Sequence, residues 1–264
     1  MRPSAEQSGE LLSWLASARE WLGEFAEEGI ERIDAAPAGE SAAPAPESHR
    51  AATPAIAPAA GSQPLGLFET QPSWSGETTL EGVRAVLGDC KRCRLCEQRT
   101  QIVFGDGNPH AELMFVGEGP GVEEDRTGLP FVGRAGELLT AMVEKGLGIP
   151  RRDVYICNIV KCRPPGNRTP LADEARTCGV FLDGQIAAVR PKVIVALGKP
   201  AASLLLAREV AITRVRGTWH TYKGIPLMPT FHPAFVLRQY TEENRRAVWS
   251  DLRAALARIR ESAS

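Results

Sequence analysis

Six cysteines are the residues in this 264-residue sequence whose type and spacing most directly allow chemistry. Cys90 and Cys93 form a CxxC pair, and Cys162 and Cys178 follow further along the chain. Four thiolates can hold tetrahedral zinc or an iron–sulfur cluster, and the spacing alone does not choose between them. Cys93 and Cys96 are an alternative ligand pair. Cys157 lies inside an apolar run, which favours an inert buried thiol.

A second set of polar residues lies where predicted strands end. Leu113–Val116 and Val154–Cys157 are apolar runs that predict buried strands, followed by Gly117 and Asn158. Leu227–Phe231 predicts a further strand before His232, at an edge or irregular because it contains Pro229. Ligands bind beyond the carboxyl ends of strands in open α/β sheets. These three segments are therefore predicted to converge on one crevice.

The elements that must position these residues alternate along the chain. Val193–Leu197 predicts another strand, and helical patterns cover about Ala135–Lys145, Asp173–Val189 and Glu242–Arg260. Such alternation is typical of a parallel sheet with helices on both faces. Residues 76–264 are therefore predicted to form an α/β domain: three-layer α/β/α with a central mostly parallel sheet.

The N-terminal part of the chain differs in composition. Residues 1–34 are predicted to form an isolated amphipathic helix, with an apolar stripe over residues 8–33 at helical spacing. We expect this helix to dock on residues 76–264 of the same chain, to self-associate or to bind a partner protein. Residues 35–75 form an Ala/Pro-rich segment that we interpret as a disordered linker, since residues 35–64 contain 12 Ala and 6 Pro.

Charge and hydropathy narrow the class of protein. The net charge of −1 divides into −7 for residues 1–75 (4 Lys/Arg, 11 Asp/Glu) and +6 for residues 76–264 (27 against 21). The positive charge of residues 76–264, the basic body of the protein, suits a polyanionic partner, although many enzymes carry a similar charge. The sequence contains no apolar run of about 18 residues, the length that would predict a membrane span, and its first residues do not resemble a secretory signal. A cytoplasmic protein is expected.

Three motifs, taken together and in order, resemble a known protein family, whereas each motif alone is not specific. They are G-E-G-P-G at Gly117–Gly121, N-I-V-K-C-R-P-P-G-N-R-T-P at Asn158–Pro170 and F-H-P-A-F-V-L-R at Phe231–Arg238. In this order they resemble the family 4 uracil-DNA glycosylases, the iron–sulfur type. The likeness runs from about Leu80 to Arg260.

The resemblance implies a hydrolytic enzyme that excises uracil from single- or double-stranded DNA in base excision repair. It implies a 4Fe-4S cluster on the matching cysteines, which are Cys90, Cys93, Cys162 and Cys178. A glycosylase flips the nucleotide and reads its Watson–Crick edge. Asn158 would pair with uracil O4 and N3–H, Phe131 would stack on the base, and His232 would donate to O2. The turn glycines Gly117 and Gly119 would lie against the base.

The carboxylate that places the water has three candidates, Glu118, Glu124 and Asp125. The resemblance favours Glu124, with Glu118 positioned by the turn. An alternative hypothesis, from a different class of protein, is a non-catalytic iron–sulfur module that binds DNA or senses redox state. That module needs the cysteines and the basic body but does not need Asn158, Phe131 and His232 together.

Overall fold

The computed structural model describes Trp74 and residues 76–261. The predictions of a helix in residues 1–34 and a linker in residues 35–75 therefore lie outside the described residues, Trp74 excepted. The Trp74 ring packs against Phe181 with ring centroids 6.3 Å apart.

A six-stranded mixed sheet forms the centre of the domain. Its strand order is β1-β3-β2-β4-β6-β5; the four inner strands are parallel, and β1 and β5 pair antiparallel at the two edges. The strands are β1 (Asp106–Gly107), β2 (Leu113–Gly117), β3 (Tyr155–Asn158), β4 (Val193–Leu197), β5 (His220–Tyr222) and β6 (Ile225–Thr230).

Helices connect these strands, and among the described residues none is long and apolar enough to cross a membrane. The π-helical segment Met142–Leu147 continues the third helix. The helices are α1 (Leu80–Leu87), α2 (Val122–Thr127), α3 (Arg134–Ala141), α4 (Ala172–Val189), α5 (Lys199–Leu205), α6 (Ile212–Val215), α7 (Pro233–Arg238) and α8 (Glu242–Glu261).

The helices cover both faces of the sheet. Successive side chains of a strand point to opposite faces, so Met114 and Val116 lie on one face, in the apolar core that α1, α4 and α5 share. On the other face, α8 contacts β2, β4 and β6, and Thr230 Oγ1 donates to Asp251 Oδ2 of α8 at 2.6 Å. The predicted three-layer α/β/α fold is confirmed.

The expectation that the strand containing Pro229 lies at an edge is wrong. This strand, β6, lies between β4 and β5. The pairing with β5 ends at Leu227, and the carbonyl of Pro229 instead accepts from the Gly217 N–H at 3.1 Å. The N and O of one strand residue point to the same side. The nitrogen of Pro229, which carries no hydrogen, therefore points to the side where β5 no longer pairs with β6, and no strand hydrogen bond is lost there.

Candidate active site

The carboxyl ends of β2, β3 and β6 open onto one cleft of about 580 Å³. The register pairs Gly117 with Asn158, so these two strand ends lie side by side. The predicted convergence therefore occurs in the structure. The predicted site residues that line the cleft are Glu118, Gly119, Glu124, Phe131, Asn158 and His232.

Asn158 presents a polar atom without a partner. The residue is 1% exposed, and among the described residues nothing forms a hydrogen bond with its Oδ1. A Cβ on Gly117 would lie 2.4 Å from this oxygen and 2.5 Å from Phe131 Cζ. Position 117 must therefore be glycine for both side chains to keep these positions. A buried acceptor of this kind is costly unless a ligand pairs with it.

Phe131 is held in an uncommon backbone conformation. Its φ is +52°, in the left-handed region, and its side chain is buried. The ring lies 5.6 Å from the His232 ring, with 31° between their planes. Gly136 lies directly behind it, where a Cβ would stand 1.9 Å from the main-chain oxygen of Phe131. The packing of α3 against this loop therefore requires a glycine.

The carboxylate of Glu124 joins two loops. Its Oε2 accepts from the Gly121 N–H at 3.0 Å, and its Oε1 accepts from the N–H groups of Val132 and Gly133 at 2.9 and 2.8 Å. Both oxygens are thus engaged by backbone donors on either side of the cleft. The geometry makes Glu124 the clamp that holds the loop of Phe131 against the glycine-rich turn.

Glu118 has a different environment. Burial raises the pKa of its carboxyl, and a hydrogen bond from Thr169 and the charge of Arg238 act against that rise. Among the described residues no backbone N–H fixes its oxygens, so it faces the cleft with accepting capacity left. The third candidate, Asp125, does not line the cleft; it is buried and accepts from the Thr100 N–H at 2.9 and 3.0 Å.

His232 is the N-cap of α7. Its Nδ1 accepts from the Ala234 N–H at 3.1 Å, so the proton of the neutral ring must be on Nε2. Burial, together with the charge of Arg238, lowers the pKa of His232 to about 4, and the charge of Glu124 opposes this shift. The residue is half-buried, because the ring opens into the cleft while protein surrounds its other sides. At neutral pH it is therefore a neutral hydrogen-bond donor.

Arginines give the cleft a basic rim. Arg134, Arg168 and Arg238 line it. Arg168 is committed to a bidentate ion pair with the buried Glu174, at 2.7 and 2.8 Å. Arg134 and Arg238 appear in no ion pair among the described residues, and both are exposed. The rim can contact a phosphate backbone.

Four of the six cysteines lie near one another. Burial raises the pKa of Cys162 and of Cys178; the charges of Cys93 and Cys90 raise that of Cys162 further, and those of Cys162 and Cys93 raise that of Cys178. Cys96 neighbours Cys93, whereas Cys157 lies in β3.

Donors point at three of these sulfurs, and the first is Cys90 Sγ, to which Arg92 Nη1 donates at 3.3 Å. Arg99 Nη1 lies 3.3 Å from Cys162 Sγ and 2.7 Å from the Cys90 carbonyl, and the Lys161 N–H donates to Cys178 Sγ at 3.3 Å. Hydrogen bonds of this kind favour thiolates and tune cysteine-ligated clusters. In the described part of the chain, however, no group of three or more His, Cys, Asp or Glu side chains is already arranged to hold a metal ion.

Comparison with known proteins identifies the family. The model of the Uracil DNA glycosylase superfamily matches residues 104–253. A type-4 uracil-DNA glycosylase of Thermotoga maritima is 47% identical over 192 residues, which cover 71% of this chain and 98% of that protein. Type-4 uracil-DNA glycosylases of Sulfurisphaera tokodaii and Archaeoglobus fulgidus are 42% and 40% identical, covering 70% and 66% of this chain and 85% and 90% of those proteins. The chain therefore belongs to the uracil-DNA glycosylase superfamily and, within it, to the type-4 enzymes.

The protonation of His232 is testable by nitrogen NMR of the imidazole rings, with His232→Gln to assign the signal. We expect neutral His232 with its proton on Nε2 from pH 8 to about 5, because its pKa lies near 4. The unfolded chain takes up a proton near the ordinary pKa of about 6.5. Stability attributable to this group is thus complete above that pH and falls as the pH drops towards 4. A midpoint near 6.5 in the folded protein would contradict the neutral donor.

Proposed function

We propose that this protein hydrolyses the N-glycosidic bond of deoxyuridine in DNA, releasing uracil and leaving an abasic site. The observation that carries the proposal is the buried Asn158 amide with its unpartnered Oδ1 in the cleft. Membership of the type-4 family supports it, since the relatives of that type carry this activity in their names.

Asn158 fits the edge of uracil. Its Oδ1 can accept from N3–H, and its Nδ2 can donate to O4. Cytosine presents an acceptor at N3 and a donor at N4, so the same amide would meet two mismatched groups. Because the amide is buried, such a mismatch leaves polar atoms unpaired at a cost of about 1–3 kcal/mol each. Phe131 provides the face on which the flipped base stacks, a contact of about 1–3 kcal/mol.

His232 can stabilise the leaving base. As the bond between N1 and C1′ breaks, its electron pair goes to the base and negative charge grows on O2. A neutral Nε2–H aimed at O2 strengthens its hydrogen bond as that charge develops. A preorganised donor of this type lowers the barrier by about 3 kcal/mol. The lowered pKa of His232 keeps its ring neutral. The proton on Nε2 of a neutral imidazole is very weakly acidic, so His232 donates this hydrogen bond without giving up the proton.

A carboxylate completes the reaction. Departure of the uracil anion leaves an oxocarbenium-like sugar. Water attacks this sugar at C1′ while one of its protons passes to the carboxylate, which returns it to solvent, and the uracil anion takes up a proton from solvent on release. We assign the placement of that water to Glu118, since its oxygens are not fixed by backbone donors, and the clamp to Glu124. This assignment departs from the sequence-based preference for Glu124. Both carboxylates also offer negative charge to the cationic sugar.

The cysteines are proposed to hold a 4Fe-4S cluster through Cys90, Cys93, Cys162 and Cys178. The donor set supports this: four soft sulfurs come from three chain segments, and N–H donors already point at three of them. Such a cluster would cross-link these segments and can carry one electron. Cys162 precedes the loop that contains Arg168, and Cys178 lies in α4, which follows that loop. These ligands would therefore hold one side of the cleft.

The proposed activity is tested with a uracil-containing oligonucleotide followed by alkali, which cuts at abasic sites. Wild-type protein should cut at uracil and not at cytosine. Asn158→Ala should lower the single-turnover rate about 10²-fold, because two hydrogen bonds of about 1.5 kcal/mol are lost. Asn108→Ala is the control, since Asn108 lies at the amino end of β3, away from the cleft, where its N–H donates to the Val154 carbonyl at 3.0 Å. Iron-loaded wild-type protein that binds DNA but releases no uracil would establish the non-catalytic module instead.

The two carboxylates are separated by Glu118→Gln and Glu124→Gln. Glu118→Gln should lower the single-turnover rate about 10²-fold with little change in melting temperature. Glu124→Gln should lower the melting temperature and weaken uracil-DNA binding, because a glutamine NH₂ cannot accept from a backbone N–H. Loss of rate without loss of stability in Glu124→Gln, together with an active Glu118→Gln, would move the water to Glu124.

The cluster is tested on protein purified without oxygen. We expect about four iron atoms per chain and broad visible absorbance, as for a cysteine-ligated 4Fe-4S centre. Cys162→Ala should lose iron and fold poorly. Cys157→Ser is the matched control, since Cys157 is equally buried but lies in β3, and it should keep its iron. Zinc in place of iron would overturn the assignment.

A further inference from the structure

Lys161 is a buried lysine that the proposed reaction does not use. It is 1% exposed and directly precedes Cys162. Its Nζ donates to the main-chain oxygen of Asn158 at 2.7 Å and to Oε1 of Gln185 at 2.5 Å. Lysine is almost never fully buried unless it is paired, yet among the described residues no carboxylate forms an ion pair with this one.

The position of this ammonium group is fixed from the other side. Gln185 is fully buried, and its Nε2 donates to the Phe104 carbonyl at 2.8 Å and to the Tyr155 hydroxyl at 3.0 Å. These bonds fix the orientation of the Gln185 amide, so that its oxygen faces Lys161. A satisfied buried network of this kind is rigid and specifies one arrangement.

The backbone of Lys161 connects to the cysteines. Its N–H donates to Cys178 Sγ at 3.3 Å, and its carbonyl accepts from the Val103 N–H at 2.8 Å. The charge of Lys161 also acts on Cys178, where it opposes the effect of burial on the thiol. One residue therefore contacts a cysteine with its backbone and the main chain of Asn158 with its side chain.

We infer that Lys161 is a positioning residue that couples the cysteine site to uracil recognition, by holding the Asn158 carbonyl while its own N–H holds Cys178. The inference rests on the proposed function. Asn158 ends β3 beside Gly117 of β2, but β1 on the other side pairs with β3 only at Tyr155 and Ile156, so no described strand holds the Asn158 carbonyl on that side. With its carbonyl held by Lys161, the side-chain amide faces the cleft. A shift of about 1 Å in such a group can lower a rate about 10²-fold.

The first test uses wild-type holoprotein and free uracil, a neutral probe that adds no charge. Binding of uracil to Asn158 should change the visible circular dichroism of the cluster, with the same half-saturation as the inhibition of excision. Coupling between two sites is reciprocal, so binding at one must be felt at the other. Asn158→Ala should abolish both effects. A cluster spectrum that is unchanged at inhibitory uracil concentrations would overturn the inference.

The second test uses Lys161→Met, which keeps an unbranched side chain one atom shorter and removes the charge and the donors. It should keep its iron, weaken inhibition by uracil about tenfold, and shift the reduction potential of the cluster to more negative values, because a nearby positive charge favours the reduced state. Lys192→Met is the control, since Lys192 pairs with Glu112 at the amino end of β4. Unchanged uracil inhibition in folded, iron-loaded Lys161→Met would overturn the inference.

The outcomes separate the two proposals. If wild-type holoprotein releases no uracil, the proposed function fails and the coupling fails with it. If it releases uracil but either test shows no effect, only the coupling fails. If Lys161→Met does not fold, the uracil titration of the wild-type protein decides alone.

Discussion

The geometry of the cleft depends on the hydrogen bonds that three backbone N–H groups donate to Glu124. They join the glycine-rich turn at Gly121 to the loop at Val132 and Gly133. Phe131 immediately precedes this second loop and has a backbone conformation that costs energy for a non-glycine residue. The clamp offsets that cost and holds the ring over Gly117 and beside His232. Without it, the face on which a base can stack would not be in place.

Burial then sets the chemistry of each polar group around that ring. It keeps His232 neutral, raises the pKa of Glu118 and leaves the Asn158 Oδ1 without a hydrogen-bond partner among the described residues. In an environment of low dielectric, hydrogen bonds to a developing charge are stronger than they are in water. A neutral imidazole donor and a nearby carboxylate suit a reaction in which the base becomes negative and the sugar positive.

The sequence predicts the framework of this site well, because strand ends can be located from short apolar runs. The convergence of Gly117, Asn158 and His232 follows from the parallel sheet alone. The position of the strand containing Pro229 could not be predicted, because it depends on where β5 stops pairing. The role of Glu124 as a clamp could not be predicted from the sequence either, because its hydrogen-bond partners are backbone N–H groups three, eight and nine residues away. Propensity and periodicity carry no information on such contacts.

Lys161 illustrates a different limit. Its sequence position, inside an apolar run directly before a cysteine, signals burial, but the partners of its side chain come from β3 and α4. Burying an ammonium group among neutral oxygens costs several kcal/mol unless negative charge lies nearby. Cysteine thiolates bound to a neighbouring cluster would supply that negative charge, whereas neutral cysteine thiols would not. The short segment from Asn158 to Cys162 thus links two requirements. A loaded cysteine site would supply the negative charge that a buried Lys161 needs, and the residue that Lys161 holds is the one proposed to read the base.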